Sequence, residues 1–296
     1  MSTTLAAESA KFARAQALLP GLSAGERAVV FYFLFLTGLA WSRHLDLLPR
    51  LALPMLGLSV WRLAAFETAR SRPWSRVLRD WLSMGLILAA YWSAGWFVAP
   101  PIAGWQETWI VWDRVLLDDW GVRSWIESAG MLIPSLLESA YLILYALPPI
   151  GVGLLYWLGG RRRVEPFLHM LLLGTICAYA LLPVFPVHGP RVAYAGLDLP
   201  GVAGFGRPVN EWVLNHMDMP TSVFPSGHVA VGFATAFGMV AAVPERRALL
   251  LAFFTVATLV YFATIYCRYH YAVDGLASIL LVSAVYTAFR RGGLVA

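Results

Sequence analysis

Apolar residues along the chain fall into eight runs separated by short polar breaks, at about 28–42, 51–68, 81–99, 134–158, 166–186, 225–243, 248–267 and 271–289. A helix that crosses the hydrocarbon core needs about 20 predominantly apolar residues, and the last six runs meet that length. The first run is short. The second carries Arg62, a charge that is costly in lipid unless it faces protein or reaches the headgroups. These two are expected to form a spanning helical pair, with a re-entrant or interfacial unit as the alternative. Alternating strand patterns and fixed-period repeats are absent from the sequence. The pattern predicts an all-α, polytopic membrane helical bundle. Residues 1–80 supply a cytoplasmic tail and the helical pair, and residues 81–296 a six-helix core.

Composition strengthens this reading. Of 296 residues, 59% are hydrophobic and only 13% charged, which excludes an ordinary soluble enzyme. The mean hydropathy is +0.66. The net charge of +5 comes from 22 basic residues, of which Lys11 is the one lysine. Because the arginines sit between apolar runs, they read as topology signals and not as a nucleic-acid surface. Arg70, Arg72, Arg76 and Arg79, then Arg161 to Arg163, then Arg246 and Arg247, then Arg290 and Arg291 fall on one side if the runs alternate. The positive-inside rule places that side, and both termini, in the cytoplasm. Segments 100–133 and 187–224 and the turn at Arg268 then face outward. The N-terminus does not resemble a cleavable signal, since its first apolar run starts only near Ala28. Cys177 and Cys267 lie in apolar segments and read as small buried hydrophobes, with no disulfide framework or CxxC pair.

Two segments outside the runs stand out. In 105–129, Trp105, Trp109, Trp112, Trp120 and Trp125 alternate with Asp113, Arg114, Asp118, Asp119 and Arg123, a composition suited to a helix in the membrane interface. It is expected to anchor the chain or to guide a lipid into a site. The long loop 187–224 is rich in Pro and Gly, and such a loop in a compact helical protein is usually functional.

Three short elements at the predicted outer face carry candidate chemistry: His188-Gly189-Pro190-Arg191, Phe224-Pro225-Ser226-Gly227-His228, and Cys267 through Asp274 with Arg268 and His270. They hold three of the chain's six histidines. His270 and Asp274 are four apart and share a helix face, so the carboxylate can fix one imidazole nitrogen and leave the other as a base or nucleophile. The same spacing also suits a metal half-site or a plain structural hydrogen bond. Pro225 marks the start of the sixth run's helix, whose free N–H groups at Ser226, Gly227 and His228 favour an anion. Ser226 offers a hydroxyl, and Gly227 lets a ligand approach the backbone. Arg191 and Arg268 offer planar forks for phosphate oxygens. Together the set suits phosphoryl transfer from an anionic lipid.

The order Arg191, then Pro225-Ser226-Gly227-His228, then His270-x-x-x-Asp274 resembles the three-motif signature of the type 2 phosphatidic acid phosphatase superfamily over residues 81–289. Val184 stands where members usually carry a lysine before the first-motif arginine, and Thr264 where many carry an arginine before the third-motif histidine. These departures, the N-terminal pair and segment 105–129 make the chain more similar to the inositol phosphorylceramide synthase branch and its bacterial relatives. The resemblance implies a phosphatase-like core in a bacterial inner membrane with an extracytoplasmic site. In it His270 is the nucleophile, Asp274 its orienting partner and His228 the acid and base. Arg191, Arg268, Ser226 and Gly227 bind the phosphate, with His188 a further candidate contact. No metal or cofactor is implied, because the arginines supply the positive charge. The expected activity is hydrolysis of a lipid phosphate ester or diphosphate, with headgroup transfer as the alternative. An anion or lipid transporter is the reading from another class, and a zinc hydrolase built on His188, His228, His270 and Asp274 a further one. The sequence leaves the oligomeric state open.

Overall fold

The structure, a computed structural model, describes residues 21–70, 72–218 and 222–291. It is 77% helical, with no strand among the described residues. In chain order the helices are α1 (Ala24–Ser42), α2 (Leu47–Arg70), α3 (Pro73–Ala94), α4 (Trp105–Arg114), α5 (Val122–Ser128), α6 (Leu132–Gly159), α7 (Arg161–Leu181), α8 (Pro190–Ala193), α9 (Arg207–His216), α10 (Gly227–Ala242), α11 (Arg247–Tyr266) and α12 (Ala272–Arg291). The fold is an all-α polytopic bundle. The expected cytoplasmic tail, with Lys11, lies outside the described residues.

Among the described residues five helices are long and apolar enough to cross a membrane: α1, α2, α6, α11 and α12. The N-terminal pair, the weaker one by sequence, is therefore among them. Arg62 lies on the exposed face of α2, where its long side chain can reach toward the headgroups. By contrast α3, α7 and α10, expected to qualify easily, fall short of the same criterion. The first two open in charged turns, and α10 has only 16 residues. Protein surrounds α10, which packs against α6, α7, α11 and α12. A helix covered by other helices does not need a full apolar span of its own.

The arginine-rich breaks gather at one end of the bundle. There Arg79 is buried between Glu26 and Glu67. Asp80 accepts from Tyr156 at 2.6 Å and from Arg161 at 3.1 Å, and Arg163 pairs with Glu245. The three candidate elements lie at the opposite end. Segment 105–129 is not one interfacial helix but α4, a π-turn at Val115–Asp119, and α5. Trp112, Trp120 and Trp125 are exposed, whereas Trp109 is buried against Phe224 and Tyr271. The segment therefore packs on the Phe224 and Tyr271 stretches that flank the candidate site as well as presenting tryptophans outward. Below the site an apolar groove of about 370 Å³ runs between α3, α6, α7 and α10, lined by Trp81, Met84, Leu88, Leu144, Pro148, Pro149 and Val231.

Candidate active site

Ser226 is the N-cap of α10. Its Oγ accepts from the Val229 N–H at 3.3 Å, its own N–H donates to the Asp274 carbonyl at 3.1 Å, and its carbonyl accepts from the Ser278 hydroxyl at 2.8 Å. The N-termini of α10 and α12 are thereby locked side by side, which puts His228 and His270 at one level. At Gly227 a Cβ would stand 2.9 Å from the Tyr179 ring of α7, so only glycine lets α10 and α7 meet this closely.

His270 sits in the turn between α11 and α12, held by its N–H donating to the Thr264 carbonyl at 2.9 Å. Its Nδ1 faces Asp274 Oδ2 at 3.4 Å, and its Nε2 faces His228 Nδ1 at 3.2 Å. Asp274 is wholly buried in the first turn of α12, and its Oδ2 also accepts the Tyr271 N–H at 2.9 Å. The four-residue spacing read from sequence therefore brings the two groups within 3.4 Å, while Nδ1 makes no hydrogen bond. Burial pushes the His270 imidazole down to about 4, against the opposing pull of Asp218 and of a hydrogen bond to the Val223 backbone and with a smaller push in the same sense from Arg191. At neutral pH its ring is uncharged, with a nitrogen lone pair to offer.

Arg191 projects from α8 into the same place. Its guanidinium donates to Asn215 Oδ1 at 2.8 Å and to Asp218 Oδ2 at 3.0 Å, and Asp218 in turn accepts from the Tyr91 hydroxyl. Arg191, His228, His270, Gly227, Tyr141, Tyr269 and Asp218 all line one small cavity. Tyr91, Gly227 and His228 belong to the wall of this cavity and of the apolar groove alike, so the two spaces adjoin.

Three expected phosphate contacts are placed differently. Arg268 is buried, with φ of 64°, and its fork pairs with Asp113 at 2.7 Å and Asp198 at 2.9 Å. The left-handed turn directs it toward α4, and it does not line the cavity. Ser226 spends its hydroxyl on capping α10 and its N–H on the Asp274 carbonyl, as above. His188 is half-buried and is not part of the cavity wall. Sequence reasoning in turn missed several residues. Tyr141 and Tyr145 contact His228 Nε2 at 3.0 and 3.2 Å. Asp218 pairs with Arg191, and the buried Glu138 accepts from Arg207 at 3.2 Å and from the Tyr269 hydroxyl at 2.9 Å. Two tyrosines four apart inside an apolar run were the available signal for the first pair.

Among the described residues no group of three or more His, Cys, Asp or Glu side chains is arranged to hold a metal ion. What the arrangement offers is a lone-pair nitrogen backed by a carboxylate, a second imidazole in contact with it, and a guanidinium at the same cavity. Comparisons with curated proteins and with solved structures each found no match. A family model described as the PAP2 superfamily matches residues 108–288, from within α4 to α12, a stretch that includes Arg191, His228, His270 and Asp274. With that match covering more than half of its length, the chain belongs to the PAP2 superfamily.

Proposed function

We propose that this protein is a membrane enzyme that cleaves a phosphate ester or diphosphate of a lipid through a phosphohistidine on His270. The observation that carries the reading is the contact series His228–His270–Asp274 beside Arg191, in a cavity that adjoins an apolar groove. His270 Nε2 attacks phosphorus while the bond to the leaving oxygen breaks, and that oxygen takes a proton from His228. Asp274 holds the other imidazole nitrogen and stabilises the charge that develops on the ring. In the second half, His228 takes a proton from water as its oxygen attacks phosphorus, and the P–N bond breaks to restore His270. Arg191 and the N–H groups at the start of α10 stabilise the phosphoryl oxygens. The positive charge thus comes from the chain itself, and activity in the presence of a chelator is the expected behaviour. The lipid's apolar chain lies in the groove, and the site faces the extracytoplasmic side.

The test is phosphate release from phosphatidic acid or a polyprenyl diphosphate by detergent-purified protein with chelator present. Release is expected, and a His270→Ala protein as active as the parent would end the reading. Headgroup transfer is the second reading. The groove, whose wall includes His228, can take an acceptor's apolar chain, and the sequence resembles the inositol phosphorylceramide synthase branch. Adding diacylglycerol or ceramide as acceptor and finding a new headgroup lipid in place of free phosphate would favour it.

A further inference from the structure

Arg191 reaches the cavity from α8, a helix of four residues, and the acceptors that steer its guanidinium come from one other stretch. Nη1 donates to Asn215 Oδ1 at 2.8 Å, and Nη2 donates to Asp218 Oδ2 at 3.0 Å and to the Leu214 carbonyl at 3.4 Å. All three acceptors lie at the end of α9 or just beyond it. The start of α9 is fastened to α6, where Arg207 and Asn210 bond Glu138. Its far end is fastened to α3: the Trp92 indole N–H donates to the Met217 carbonyl at 3.1 Å, and the Tyr91 hydroxyl donates to Asp218 Oδ1. α3 ends before residue 108, so this second grip comes from outside the stretch that the family model matches.

How the two oxygens of Asp218 are shared bears on phosphate binding. A carboxylate that can turn pairs with a guanidinium through both oxygens, in two parallel hydrogen bonds. Here Oδ1 accepts from Tyr91, and Asp218 meets Arg191 through Oδ2. Among the described residues three of the five guanidinium N–H groups have acceptors, which leaves two for an incoming anion. A second bond from Asp218 would take one of these, and phosphate would meet a fork already closed by a carboxylate. The Tyr91 ring is held separately from its hydroxyl. It packs against Tyr179 of α7 at a centroid distance of 5.6 Å and stands in the wall of the cavity and of the groove alike.

We infer that Tyr91 is a positioning residue: its hydroxyl confines Asp218 to a one-oxygen grip on Arg191 and so keeps part of the guanidinium open to the substrate's phosphate. This rests on the reading of Arg191 as a phosphate contact. Asp218 orients the guanidinium, and Tyr91 makes it do so without competing with the substrate. The hydroxyl acts through Asp218 and takes no part in proton transfer.

The experiment measures phosphatidic acid hydrolysis, and its inhibition by inorganic phosphate, in full-length detergent-purified protein. It compares the parent with Tyr91→Phe, Asp218→Asn, the double variant and Arg191→Ala. Tyr91→Phe keeps the ring and removes the hydroxyl. It is expected to raise the inhibition constant for phosphate about 10-fold and to lower kcat/KM by a similar factor, a part of the roughly 10²- to 10³-fold that one oxyanion contact is worth. An inhibition constant does not depend on the fraction of folded protein, so a folding defect alone would leave it unchanged. Asp218→Asn removes the carboxylate that could close on Arg191. Adding Tyr91→Phe to it is therefore expected to change the phosphate constant by less than about twofold, a non-additivity that independent sites do not show. If Tyr91→Phe leaves the phosphate constant unchanged, or raises it as much beside Asp218→Asn as alone, the hydroxyl does not act through Asp218 and the inference is overturned. Failure of the reading beneath it looks different. Arg191→Ala inhibited by phosphate as strongly as the parent, or a parent that neither releases phosphate nor is inhibited by it, would remove the phosphate contact itself and the inference with it.

Discussion

Arg268 stands two residues before His270, yet its guanidinium is buried away from the imidazoles between Asp113 and Asp198, while Arg191, far off in sequence, reaches the cavity. The two arginines therefore respond to substitution in different ways. Removing Arg268 with Met leaves two carboxylates without their cation, and breaking such a buried set costs about 3–5 kcal/mol, to be read as a lowered thermal midpoint in detergent. Arg191→Ala is expected to keep that midpoint and to lower kcat/KM on a lipid phosphate by about 10²- to 10³-fold, the usual cost of one oxyanion contact. His270 adds a pH dependence. Its folded imidazole titrates near 4 and an unfolded one near 6.5, so the unfolded chain binds the extra proton between those values. Its contribution to stability is thus complete above 6.5 and is lost as the pH falls toward 4. Thermal midpoints of the parent should drop over that window, and His270→Gln should flatten the drop. At this scale the sequence identified the His228, His270, Asp274 and Arg191 constellation, because motif spacing survives folding. It misdirected Arg268, since adjacency along the chain says nothing about a residue at φ of 64°.

The long helices were legible as apolar runs because lipid-facing and protein-facing positions are both apolar in a span, so the signal is continuous rather than periodic. What the runs concealed was where each helix begins. α3 and α7 open in charged turns whose Arg79, Asp80 and Arg161 are paired inside the bundle, and α10 is short because neighbouring helices cover it. Segment 105–129 was read by its tryptophans, but its decisive residues are Asp113 and Trp109, which fasten α4 onto the His270 turn: Asp113 binds Arg268 and the Ala272 N–H, and Trp109 packs on Tyr271. Composition could not distinguish those two residues from their exposed neighbours. Helix contact also makes a prediction at Gly275, next to Asp274 on α12, where an added Cβ would stand 2.3 Å from the Tyr261 ring of α11. The ring cannot give way without moving α11, so Gly275→Ala is expected to destabilise by about 1–3 kcal/mol. Because the displacement passes through the turn that carries His270, activity at a temperature where the variant is folded should fall as well, and Gly85→Ala, which meets nothing within 4 Å, should cost neither stability nor activity.

Over the whole molecule the polar cavity and the apolar groove adjoin, and the proposed reaction would put phosphate chemistry at one end of the bundle and the lipid chain along its side. The groove wall on α3 includes Trp81 and Leu88, both exposed on the bundle's outer surface, so a lipid can enter sideways from the bilayer. Val231 lines this groove one turn below His228 and does not line the cavity. Replacing Val231 with Trp fills the channel just beyond the reaction centre and leaves the imidazoles, Arg191 and their contacts in place. Each methylene withdrawn from the groove forfeits about 0.8 kcal/mol, so displacing two or three of them should raise KM for a long-chain phosphatidic acid about 10- to 50-fold. A short-chain analogue whose tails end before residue 231 has no methylene to lose, and its kcat/KM should hold within about twofold. Equal losses on long and short substrates would mean that the tail does not run along this groove, and a gain on the short one relative to the long would locate it there.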